Sequence, residues 1–310
     1  MRKRNSIWIA AIAVAVTGWN GAAASPARGP CKDALTQGIP ARPEGAPGGR
    51  AFADGLRGLS EDERESRIEH ELLSGNIPDF LRRLVPVKFH QPGTNGQALD
   101  IVVCAAPDYL AVGSDDDFLL VPMRLGTALS TATQYGLTLP TPGIVDAIYA
   151  QATVHFVPQP LPAGDDMRST DYFRLHNDMI GVQRSSLGAS TGELSAGHKK
   201  DLVLTSRLWS HLDRVAIYGW HLTNGEPIQP LSTVHGWRYA DYSHGIRLIS
   251  AQAFVNGIPE PIVDVLRLPA LAGALNGADV VDNLAGLIGA LRARVQTAMA
   301  VLLQNRKIGI

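Results

Sequence analysis

The sequence has only 2 cysteines in 310 residues, aromatic side chains make up 6% of it and charged ones 18%. Two cysteines cannot build a disulfide-dense scaffold, and without a Cys-x-x-Cys pair they exclude haem attachment and thioredoxin-like redox chemistry. An excess of one charge is also missing: 28 Lys+Arg stand against 29 Asp+Glu, a net charge of -1. Such a chain has little long-range attraction for phosphate or anionic lipid, so nucleic acid is excluded as the expected partner, and a polymeric glycan or a peptide is the better default. There is no Gly-x-x-x-x-Gly-Lys-[Ser/Thr] loop and no Gly-x-Gly-x-x-Gly after a strand, which sets nucleotide-driven chemistry aside. With 45% hydrophobic residues the chain is neither disordered nor collagen-like, and its length suffices for one large domain or two ordinary ones.

The first two dozen residues read as an address. Arg2, Lys3 and Arg4 form a basic start, an apolar run follows from Ile7 to Val16, and Ala22, Ala23, Ala24 and Ser25 offer the small residues of a cleavage site. A membrane span needs about 20 apolar residues. Here Thr17 to Gly21 interrupt the run, so the expectation is export to the periplasm or beyond, with no membrane span left after signal removal. Cys31 lacks a preceding Leu-x-Gly lipobox. In an oxidising compartment Cys31 and Cys104 can form one disulfide; otherwise Cys104 is a buried small hydrophobe and Cys31 part of a loose tail.

The organisation expected is a signal peptide over 1–24, a flexible Gly/Pro-rich leader over 25–58, an α+β domain over 59–260 and a helical C-terminal segment over 261–310. Ser60 with Glu63 forms a capping box before a helix that Ser74-Gly75-Asn76 ends. Strands are expected near Val87–Phe89, Ala98–Cys104, Tyr109–Val112 and Phe118–Val121, and helices at Leu125–Tyr135 and Pro142–Ala152. A Pro-rich crossing over Pro158–Pro162 precedes a short helix at His176–Arg184. Val215–His221 and Glu226–Leu231 flank Asn224-Gly225 as a hairpin, with one further strand over Gly245–Ser250. The order of patterns lacks strict strand-helix alternation, so the fold class expected is α+β: a mainly antiparallel sheet with flanking helices and a helical C-terminal tail.

Five of the nine histidines, His198, His211, His221, His235 and His244, fall between residues 198 and 244. Around them stand Lys199, Asp201, Trp220, Trp237, Tyr239, Asp241, Tyr242 and Arg247. Imidazole exchanges protons near neutral pH and binds zinc, whereas Trp and Tyr offer flat faces to sugar or peptide groups. One reading takes His235, Asp241 and His244 as ligands of a zinc ion whose bound water attacks an amide or ester. Exported zinc peptidases that cut peptidoglycan stems carry a His, an Asp seven positions later and a final His-x-His. Here the His235 to Asp241 spacing is six and no His-x-His occurs, so the chain does not share that pattern.

A metal-free reading gives His198, His221 or His244 the proton transfer, with Asp201 or Asp241 as orienting carboxylate. Lys199, Trp220, Trp237, Tyr239 and Arg247 would then bind substrate. Asp241 and His244 are an odd number of residues apart, so a straight strand would point them to opposite faces. They meet only through a turn or bulge near Ser243-His244-Gly245. Ser243 and Ser232 stand near histidines as candidate nucleophiles, but no Gly-x-Ser-x-Gly elbow is present. Asp115, Asp116 and Asp117 read as a strand-joining turn or, less economically, a calcium site. The function expected is an exported hydrolase of a cell-envelope or extracellular polymer; the alternative is a non-catalytic binding protein with an aromatic-rich surface.

Overall fold

The computed structural model describes residues 30–31, 38–92, 98–276, 281 and 283–308. The expected export signal and residues 93–97 lie outside the described residues. The fold is α+β with mostly antiparallel sheets. The helices are α1 (Gly49–Gly55), α2 (Glu61–Leu73), α3 (Leu125–Gln134), α4 (Pro142–Gln151), α5 (Thr170–Ser186), α6 (Ile262–Val265), α7 (Pro269–Asn276) and α8 (Leu284–Ile308). The first strands are β1 (Val85–Pro92), β2 (Ala98–Ala105), β3 (Ala111–Gly113), β4 (Phe118–Leu120), β5 (Leu137–Thr138) and β6 (Val154–His155). They are followed by β7 (Ser195–Ala196), β8 (Lys200–Leu202), β9 (Ile217–His221), β10 (Pro227–Ser232), β11 (His244–Gly245), β12 (Ile249–Val255) and β13 (Ile258–Pro261).

Two sheets carry the fold. One runs β1-β2-β12-β13 with β5 added along β12, and the other runs β10-β9-β8-β11. In β1 the side chains alternate, Val87 and Phe89 buried against Lys88 and His90 exposed, as a strand with one covered face requires. Helix α4 packs on β1 of the first sheet and β9 of the second, so it is wedged between them. Its first residue, Pro142, loses nothing by lacking an N–H there. The capping box of Ser60 and Glu63 closes α2 as its sequence demands. The hairpin forms at Asn224-Gly225, where Gly225 takes φ 88° and accepts a left-handed turn at little cost.

Three expectations need correction. Part of the 25–58 leader is structured: Gly49–Gly55 is helical, and Phe52, Ala53 and Leu56 are buried in the main core. Gly49 sits where a Cβ would strike the Phe118 and Leu119 backbone, so the glycines that suggested flexibility serve close packing. The helix read at His176–Arg184 runs from Thr170 to Ser186, started by the Ser169 side chain capping the Tyr172 N–H. The single strand read at Gly245–Ser250 is two: β11 pairs with β8 in one sheet, β12 with β2 in the other, and Ile246 to Leu248 cross between them. Leu271, Leu275, Leu284, Leu287 and Leu291 of the C-terminal helices join the same core as the strands.

No helix among the described residues is long and apolar enough to cross a membrane. A disulfide joins Cys31 to Cys104 on β2.

Candidate active site

The chain reverses at residues 241–244, where the His244 N–H donates to the Asp241 carbonyl at 3.0 Å. This is the turn that the odd spacing of Asp241 and His244 requires, and it brings His244 Nε2 to 3.9 Å from Asp241 Oδ2. Asp241 Oδ1 accepts from the Ser243 N–H (2.8 Å) and hydroxyl (2.5 Å), and Oδ2 from the Tyr239 hydroxyl at 3.0 Å. Burial opposes ionisation of Asp241, but the adjacent His244, the Ser243 hydrogen bonds and Lys200 outweigh it and hold the carboxyl below its ordinary range. The Ser243 hydroxyl is thereby committed to Asp241, and Ser243 is fully buried.

His244 is the centre of this group. It is 1% exposed, and neither ring nitrogen has a hydrogen-bond partner. Burial pushes its pKa down to about 4 against the pull of Asp241, so the ring is neutral at pH 7. His235 and Tyr239 stack face to face at 4.0 Å, and the Tyr239 ring lies 5.6 Å from that of His244. Both are half-buried, as is Lys200, the β8 residue in register with His244. His244 and Asp241 thus lie buried beside the half-buried His235, Tyr239 and Lys200. Lys199, 1% exposed, donates from Nζ to the Tyr242 carbonyl at 2.5 Å. Burial drives its pKa to about 7, with Asp241 and then Asp108 opposing that shift.

The remaining predicted residues fall in other networks. His198 donates from Nε2 to Asp108 Oδ1 at 2.9 Å, and Arg184 of α5 holds Oδ2 of the same carboxylate at 2.5 Å. His198 is wedged between Tyr109 and Phe156, so it works as a buried tie. Asp201 accepts from the Tyr109 hydroxyl at 2.7 Å and faces Arg247 Nε at 3.9 Å. Burial raises the Asp201 pKa to about 6. The guanidinium of Arg247 is spent on the carbonyls of Ala106 and Ser195 (2.9 and 2.6 Å) and on the face of Tyr109. His221, expected to transfer protons, is buried under Tyr149 and bonded to Asp146 of α4 at 2.9 Å. His211 is exposed.

The aromatic residues do not share one surface. Trp220 and Tyr242 pack with Phe173 in a second hydrophobic cluster, 4%, 1% and 1% exposed, with Leu161 of the Pro-rich crossing against it. Trp237 instead lines a groove of about 840 Å³ between α2, α3 and α8, together with Arg238, Arg124 and Met299. Phe173, His176, Ile180 and Arg184 recur at intervals of three and four along α5, the buried stripe of that helix. Asp108 and Asp146, which hold His198 and His221, have no such pattern in the sequence.

As for metal, no group of three His, Cys, Asp or Glu side chains among the described residues lies at ligand spacing. His235 and His244 have ring centres 6.3 Å apart, and both oxygens of Asp241 are engaged. The acidic run is a strand-joining turn, with Asp115 accepting from the Phe80 N–H and Asp117 from the Arg50 N–H. Comparison of the chain with protein-family models, with curated proteins and with solved structures finds no match.

Proposed function

We propose that the protein is an exported hydrolase of a cell-envelope or extracellular polymer, with His244 as general base and Asp241 as its supporting carboxylate. The observation that carries this reading is the buried imidazole with two unpartnered nitrogens beside a buried carboxylate, next to the half-buried His235, Tyr239 and Lys200. A buried polar atom without a partner costs about 1–3 kcal/mol, which a fold tolerates where the atom is needed for binding or chemistry. The neutral ring accepts a proton from water or a substrate hydroxyl, and the negative Asp241 stabilises the imidazolium formed. Lys199, hydrogen-bonded to the Tyr242 carbonyl, titrates near neutrality and returns a proton to the leaving group. A polymer suits the layout because residues 235–239 face two ways. His235 and Tyr239 border His244, and Trp237 and Arg238 border the groove between α2, α3 and α8.

The donor spacing favours a metal-free reaction over a zinc-bound water, and elemental analysis of the native protein decides: about one zinc per chain would restore the His235, Asp241 and His244 reading. The disulfide and the N-terminal sequence support export.

The direct experiment is release of soluble fragments from isolated envelope glycan and peptide polymers. His244→Ala and Asp241→Asn should each cut turnover by about 10²-fold or more while leaving the thermal transition cooperative. The pH profile should rise as His244 loses its proton near pH 4 and fall as Lys199 loses its own near pH 7. Full activity in His244→Ala would remove this centre.

A further inference from the structure

The charges buried around the site do not balance. Asp108 holds Arg184 at 2.5 Å, and Asp201 faces Arg247 at 3.9 Å. Below about pH 7, where Lys199 is charged, that leaves one carboxylate, Asp241, for two ammonium groups, Lys199 and Lys200, and among the described residues neither has a carboxylate oxygen within 4 Å. Lys199 at least donates to a carbonyl. Lys200 has only an aromatic face, its Nζ standing 5.2 Å from the centre of the Trp220 ring. A half-buried cation in excess attracts an anion, because water is too sparse there to solvate it fully.

Trp220 is built for the same ligand. It is one of two non-glycine residues with positive φ, at 55°, directly after Gly219 at 100°, among the described residues. Two left-handed residues in succession break the alternation of β9. They separate Trp220, which packs with Tyr242 and His176, from His221, which packs on α4. An aromatic residue adopts that backbone only where its surroundings hold it. Its indole Nε1 is buried and has no acceptor. An N–H without an acceptor and an ammonium over the face of the same indole are the two donor types that a carboxylate takes.

We infer that Lys200 and the Trp220 indole form a carboxylate-binding subsite next to His244, so that the polymer cut by the protein carries a free carboxylate beside the scissile bond. The inference rests on the hydrolase reading for the word substrate, but not for the binding itself. Lys200 and His244 are in register on paired strands, which sets the bound carboxylate one residue's width from the catalytic base.

The test is an NMR titration of the full chain labelled with ¹⁵N at tryptophan, the Trp220 indole signal being identified by its loss in Trp220→Phe. Sodium acetate should shift that signal saturably, and acetamide, its neutral counterpart, should not, nor should chloride at matched ionic strength. Lys200→Gln should weaken acetate by about tenfold or more, and Lys200→Arg should retain it. Equal shifts from acetamide or chloride, or undiminished binding in Lys200→Gln, would overturn the subsite. If Lys200→Gln does not fold, the acetate, acetamide and chloride series on the parent and on Lys200→Arg still decides. Turnover of His244→Ala is measured separately, so loss of the hydrolase reading and loss of the subsite are distinct results.

Discussion

Lys199 links the site to stability through its proton. Its pKa is near 7 in the folded chain and in the usual lysine range when unfolded. Between those values the unfolded chain binds more protons than the folded one, so the contribution of Lys199 to stability rises as pH rises from about 7 to about 10. Below pH 7 the buried ammonium is charged in both states and its full desolvation cost is felt. Lys199→Met removes that cost while keeping the aliphatic stem. Its stability relative to the parent should therefore be most favourable at pH 6 and decline by several kcal/mol towards pH 10, read as urea midpoints across pH. A constant difference would mean that the ammonium is hydrated or paired.

Asp108 gives the opposite case, a buried carboxylate that two partners need. Burial alone would raise its pKa, but His198, Arg184 and Arg247 together hold it well below the ordinary carboxylate range. Asp108→Asn keeps an acceptor for His198 and strands the Arg184 charge, so it should cost about 3 kcal/mol or more in urea unfolding. Because the native pKa is depressed, the Asp108 contribution is present above the unfolded value and is lost as pH falls through the native one.

At the level of elements, the signals that read correctly were local ones. The Ser60–Glu63 box, Pro142 at a helix start and Asn224-Gly225 between strands act through neighbours in the chain, and the structure shows each. Ser60→Ala should lower stability by about 1 kcal/mol, measured by thermal or urea unfolding, because the Glu63 N–H then loses its acceptor at an exposed helix end. What the sequence hid was set by distant partners. Gly49 looked like part of a flexible leader until Phe118 packed against it, and β11 and β12 looked like one strand because nothing local marks the switch of sheets at Arg247. The candidate site was half legible. His235, Tyr239, Asp241 and His244 lie within ten residues and one turn gathers them, whereas His198 and His221 are claimed by Asp108 and Asp146, far away in sequence.

On the scale of the whole molecule, Cys31 is tied to the centre of a sheet. Cys31 and Cys104 are 73 residues apart, and Cys104 sits on β2 between β1 and β12, fully buried. A cross-link of that span removes much of the freedom of the unfolded chain, worth about 4 kcal/mol in the loop-entropy account. Cys31→Ser with Cys104→Ala should therefore lower the unfolding free energy by roughly that amount, Ala filling the apolar place of Cys104 at the cost of a small cavity. A control with Cys104→Ala alone gives the same loss, since one cysteine cannot bridge, and restoring Cys104 without Cys31 recovers only the cavity part. The same bond bears on where the protein works, because glutathione keeps such pairs reduced in most cytosols. Mass spectrometry after alkylation under denaturing conditions should find no free thiol in protein taken from its native compartment. Two alkylated cysteines there would argue against an oxidising location, and with it against export.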